Sequence, residues 1–73
     1  MAEVEVPSDI SGRVYRIEVA LGASVAAGDA LMVLESMKME IPVESPRAGR
    51  VARILVAEAD DIIEGQVLAV LET

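Results

Sequence analysis

The sequence predicts an all-β fold, a two-fold pseudo-symmetric flattened β-barrel or sandwich of about eight short strands. Residues 12–35 (GRVYRIEVALGASVAAGDALMVLE) and 49–72 (GRVARILVAEADDIIEGQVLAVLE) match without gaps at an offset of 37, with 12 of 24 positions identical. A unit this small cannot bury its own apolar face, so the two copies must pack together. With only two copies, an open solenoid is excluded. Runs of Val and Ile alternate with Gly, Pro, Ser and Asp turn signals, which is the pattern of short strands. The chain is 53% hydrophobic but Tyr15 is its sole aromatic residue, so the core is expected to be thin and built from Val, Ile, Leu and Ala. All 73 residues form one domain, near the lower size limit for a core without disulfides or metal.

In chain order, Glu3 to Val6 alternates polar and apolar residues and reads as a half-buried strand ending at Pro7. Ser8 to Gly12 is a turn, and Gly12 to Val19 is a second strand. Val14 and Ile17 are an odd number of residues apart, so both can face inward only across a bulge. The same spacing recurs at Val51 and Ile54, which makes the bulge a shared feature of the repeat. A helix over 19–27 is disfavoured because Gly22 and Gly28 leave room for barely two turns. Ala30 to Leu34 is the next strand. Ile41 to Glu44 resumes alternation, with Pro42 confined to a position needing no ladder donor. Ser45 to Gly49 is again a turn, and from there the first half is repeated. Val33 and Val70 occupy equivalent places in the repeat and are expected to be internal.

Six residues are Lys or Arg, and five of them are Arg13, Arg16, Arg47, Arg50 and Arg53, which leaves Lys38 as the only lysine. It sits between Met37 and Met39, near the joint of the two halves. If Met37 and Lys38 are the central residues of a two-residue hairpin, Ser36 pairs with Met39, Glu35 with Glu40 and Leu34 with Ile41. Such loops want glycine or asparagine at positive φ, and a Met-Lys pair there costs about 1–2 kcal/mol per residue. A local rule broken at one place points to function at that place.

Composition excludes several classes of function. Without cysteine there is no disulfide framework, thiolate metal site or thiol nucleophile. Without histidine the commonest general base is missing. Serines 8, 11, 24, 36 and 45 therefore have no histidine to activate them, and the acidic group Asp60, Asp61, Glu64 matches no cation-binding loop and reads as a solvated turn. A net charge of −7 argues against nucleic acid or an anionic membrane as partner. The N-terminal residues lack the regions of a signal peptide, and a cytoplasmic protein is expected.

Glu35-Ser36-Met37-Lys38-Met39-Glu40 resembles the Glu-(Ala/Ser)-Met-Lys-Met attachment motif of biotinyl domains, in the biotin/lipoyl attachment family. The resemblance covers essentially the whole chain, including both half-repeats and the Ser45-Pro46-Arg47-Ala48-Gly49 turn. It implies a non-catalytic carrier: Lys38 would be biotinylated by a biotin protein ligase, with Met37, Met39 and Glu35 as ligase determinants. Biotin would then shuttle carboxyl groups from a biotin carboxylase to a carboxyltransferase. The length resembles that of free-standing small carriers, without the thumb insertion of some bacterial acetyl-CoA carboxylase carriers, and a monomer is expected when isolated. A lipoyl or dual carrier and an unmodified adaptor of the same fold are the rival readings; lipoyl domains usually carry Asp before the lysine and Ala or Val after it, and the two methionines argue for biotin. Two departures stand out. Ser11 replaces a usual proline, and Ala59 stands where the family often has glycine, at a cost of roughly 1 kcal/mol if its φ is positive.

Overall fold

A computed structural model describes residues 2–73. Eight strands form: β1 (Glu3–Pro7), β2 (Gly12–Ile17), β3 (Ser24–Val25), β4 (Ala30–Ser36), β5 (Met39–Glu44), β6 (Gly49–Ile54), β7 (Asp61–Ile62) and β8 (Val67–Glu72). They make two four-stranded sheets, ordered β1-β8-β6-β3 and β5-β4-β2-β7. The sheets remain separate, so of the two architectures expected the flattened sandwich is the one formed. Its body measures 36 × 17 × 17 Å.

Each sheet draws strands from both halves of the chain. β1 pairs with β8, β2 with β7 and β3 with β6, all antiparallel, so the halves interleave and do not face each other as separate layers. Neither half can close a sheet alone, which makes the fold cooperative between them. The bulges lie where the odd spacing put them, between Val14 and Arg16 and between Val51 and Arg53.

The repeat is also longer than residues 12–35 and 49–72. At the same offset of 37, β1 corresponds to β5, with Glu3/Glu40, Val6/Val43 and Ser8/Ser45 identical. Ser8 and Ser45 are both buried and play one part: each Oγ donates to the carbonyl two residues on, Ile10 at 2.6 Å and Arg47 at 2.7 Å. The symmetric units are thus 2–36 and 39–73, and Met37-Lys38 is the joint between them. The ladder pair of Ala2 and Thr73, with N–H···O distances of 3.1 and 2.9 Å, is the image of the Met39 and Ser36 pair. β1 leads away from this terminal bridge toward the turn that brings Ser11 to Ser36, so the chain ends and the Lys38 hairpin occupy opposite ends of the body.

The core consists of two clusters related by the offset of 37 at Val14/Val51, Leu34/Leu71, Leu31/Leu68 and Val25/Ile62. One holds Val14, Met32, Leu34, Val56, Ile62 and Leu68; the other holds Val6, Val25, Leu31, Val51 and Leu71. Met32 is fully buried, so the core is not confined to Val, Ile, Leu and Ala as composition suggested; a flexible thioether fills the space left by missing aromatics. Val33 and Val70 are buried but belong to neither cluster. Strand alternation turns them to the face opposite Met32 and Leu34, or Ala69 and Leu71. There they lie between flanking strands, Val33 opposite Arg16 and Pro42, Val70 opposite Arg53 and Glu5.

Ala59 has φ 76°, in the position whose image is Gly22 at φ 84°. Both amides close the same hydrogen bond at 2.8 Å, Ala59 to the carbonyl of Val14 and Gly22 to that of Val51. The turn therefore demands a left-handed residue, and alanine holds that conformation under strain. Ala59→Gly is expected to raise unfolding free energy by roughly 0.5–1 kcal/mol, strain relief being partly offset by the entropy of the unfolded glycine. A chemical-denaturation midpoint at or below that of the parent chain would refute the strained-turn account.

Candidate functional site

The hairpin joining β4 to β5 has the predicted register, with Ser36 opposite Met39, Glu35 opposite Glu40 and Leu34 opposite Ile41. Met37 and Lys38 take φ of 53° and 64°, the two left-handed residues of a type I′ turn. This geometry matches the right-handed twist of the flanking strands, which is why the backbone adopts it despite side chains that disfavour it. Met37 is 92% exposed and Met39 62% exposed, and Lys38 is exposed between them. Among the described residues, Lys38 enters no ion pair.

The tip's side chains are exposed, while its backbone is anchored to the body. Ser36 Oγ donates to the carbonyl of Ser11 at 3.1 Å, tying the hairpin leg to the turn before β2. Gly12 then passes so close to the carbonyl oxygen of Glu35 that a Cβ would lie 2.5 Å from it. Glycine is required there by the approach of two backbones. Gly49, its image, meets Glu72 in the same way, at 2.7 Å. Ser11, Gly12 and Ser36 thus position the lysine, and the sequence signal for them was the glycine that opens each half-repeat.

Charge is arranged differently at the two ends of the molecule. At the terminal end, Arg50 pairs with Glu72 at 2.6 Å and Arg53 with Glu3 at 3.2 Å. Their images at the hairpin end are Arg13 with Glu35 and Arg16 with Glu40, and neither ion pair is made among the described residues. Arg16 instead bonds Glu18, whose carboxylate raises the guanidinium pKa above its ordinary value, and stands 5.7 Å from the Tyr15 ring centroid. The image of Glu18 is Leu55, so the diversion is possible in the first half alone. Glu35 and Glu40 therefore face solvent side by side below the lysine.

A concavity of about 490 Å³ runs between the edges of β1 and β5 and is lined by residues including Val6, Ile10, Leu34, Ile41 and Val43, whereas Lys38 does not line it. Asp60 Oδ2 accepts from the amide of Ala57 at 2.8 Å, and among the described residues no three His, Cys, Asp or Glu side chains are grouped as metal ligands would be. The candidate site is a convex tip that presents one primary amine, flanked by two thioethers, on a rigid two-residue turn. Such a group can be acylated by another protein.

Comparison with known proteins agrees with this geometry. A family model described as biotin-requiring enzyme, covering biotin and lipoyl attachment, matches residues 2–71. No curated protein matches the chain. Among solved structures, the crystal structure of the Kluyveromyces lactis urea carboxylase superposes with a TM-score of 0.93 at 30% identity, over 99% of this chain and 6% of that one. A single-chain, multi-domain long-chain acyl-CoA carboxylase superposes with a TM-score of 0.88 at 34% identity, over 93% of this chain and 7% of that one. The chain thus spans a small fraction of the length of either enzyme.

Proposed function

Because the chain belongs to the biotin and lipoyl attachment family, we propose that it is a biotin carboxyl carrier in which the Nζ of Lys38 forms an amide with the carboxyl group of biotin. The carrying observation is the placement of the only lysine at a left-handed hairpin tip between two exposed methionines. A biotin protein ligase acylates the lysine, with Met37, Met39 and Glu35 as the contacts it reads. The resulting arm extends from the narrow end of a rigid body, so the ureido ring enters an active site while the sandwich stays outside. A biotin carboxylase loads the ring and a carboxyltransferase unloads it, and the carrier contributes effective concentration without a catalytic group. Both structural neighbours are carboxylases, which favours biotin over lipoate.

Intact mass after incubation with a biotin ligase, ATP and biotin, and in parallel with a lipoate ligase, tests the reading. A single biotinyl increment is expected. A lipoyl increment alone, or no increment in either reaction, would reject it.

The methionines are testable apart from the lysine. Met37→Asp with Met39→Ala is expected to reduce the initial rate of biotinylation about tenfold or more, on the scale of losing an apolar contact from each side of the lysine. Circular dichroism and melting should stay near those of the parent chain, since both side chains are exposed and aspartate tolerates the left-handed conformation. Extensive unfolding would instead make the methionines structural.

A further inference from the structure

Three methionines lie within the described residues, and the fold separates them sharply. Met32 is fully buried, while Met37 is 92% and Met39 62% exposed. Large apolar side chains exposed to this extent, side by side on a hairpin tip, await contact with a partner, and until then their sulfur atoms are open to soluble oxidants. We propose that Met37 and Met39 form a reversible oxidation site that gates the modification of Lys38, a peroxide converting their thioethers to sulfoxides that the ligase reads poorly. This rests on the carrier reading and adds regulation to the same hairpin.

The chemistry balances with a peroxide as the sole co-reactant. The thioether sulfur attacks one peroxide oxygen, an S–O bond forms and the O–O bond breaks. The proton on the transferred oxygen passes to the departing hydroxide, which leaves as water. Sulfur loses two electrons and the peroxide gains them. The product side chain is polar and chiral where the parent was apolar. A surface that accepts a methionine by burying it would now have to desolvate a sulfoxide, so binding weakens. Folding is untouched, because neither side chain contributes to either core cluster. Met32, fully buried in the cluster that also holds Leu34 and Leu68, is shielded from the same reagent.

The experiment uses the whole chain, treated with hydrogen peroxide and then freed of it with catalase. Peptide mapping should place oxygen on Met37 and Met39 while Met32 stays reduced. Biotin incorporation by the ligase should slow about tenfold, with an unchanged circular dichroism spectrum. Methionine sulfoxide reductases of both epimer specificities should restore mass and rate together. The sensitivity should persist in Met32→Leu, which removes the buried sulfur at nearly constant volume; its loss there would put the responsible sulfur in the core and overturn the assignment. Equal labelling before and after oxidation overturns the oxidation site alone. Untreated protein that accepts no biotin overturns the carrier reading itself.

Discussion

Lys38→Arg is expected to give a folded protein that accepts no biotin. The substitution keeps the charge and a long flexible side chain, and arginine meets the same backbone cost at φ 64° as lysine does. Lys38 makes no ion pair among the described residues whose loss could unfold the chain. What changes is the nucleophile: a guanidinium stays protonated and cannot attack an activated biotinyl carboxyl group. The chain has no second lysine to substitute for it. Intact mass and an avidin blot after exhaustive treatment with the ligase check the result, and any biotinyl increment surviving in the variant would remove Lys38 from its role.

A second large effect is expected far from the lysine. Leu71 is fully buried in the cluster with Val6, Val25, Leu31 and Val51, and stands opposite Val4 and Val51 near the terminal end of the body. Leu71→Asp would bury a carboxylate with no cationic partner in that cluster, at a cost of several kcal/mol. A domain of this size has about that much stability in total. The variant should unfold and should also lose biotinylation, because only the closed sandwich holds the hairpin in the geometry that the ligase meets. Val70→Asp should be milder, since Val70 lies outside both clusters and faces Arg53, although Arg53 already pairs with Glu3 and Glu5 stands on the other side. Circular dichroism sorts the two variants by stability and initial labelling rates sort them by function. Parent-like labelling of an unfolded Leu71→Asp chain would mean that the ligase reads Met-Lys-Met as a linear motif.

Most of the site was legible before any coordinates because its signals are local. A unique lysine, its methionine flanks and the register of the hairpin are all contained within Leu34 to Ile41. The unfavourable left-handed conformation was legible too, since the two-residue turns that keep the strands' twist put one or both central residues at positive φ. The scaffold supporting the tip was less so. Ser11 and Gly12 lie more than twenty positions before the hairpin, and their contacts with Ser36 and Glu35 depend on how β2 is laid against β4. Even the full extent of the repeat was present in the letters, in Glu3, Val6 and Ser8 matching Glu40, Val43 and Ser45. Three identities among scattered differences stood out only once β1 and β5 were seen to hold equivalent edges.

By itself, then, the sequence determined an all-β fold of two equivalent halves, the bulges after Val14 and Val51 and the lysine at the joint. Each of these follows from periodicity or from an offset of 37, both properties of neighbouring or repeated residues. Tertiary structure alone decided that the halves interleave within each sheet, that Val33 and Val70 face away from the two clusters, and that Arg16 bonds Glu18 and leaves Glu40 free. The first two share a physical reason, and in the third a carboxylate two residues along the chain competes with one across the sheet. A strand pattern states that one face is buried, but which strand lies alongside it, and which charge comes within reach, is set by the pairing of segments distant in the chain.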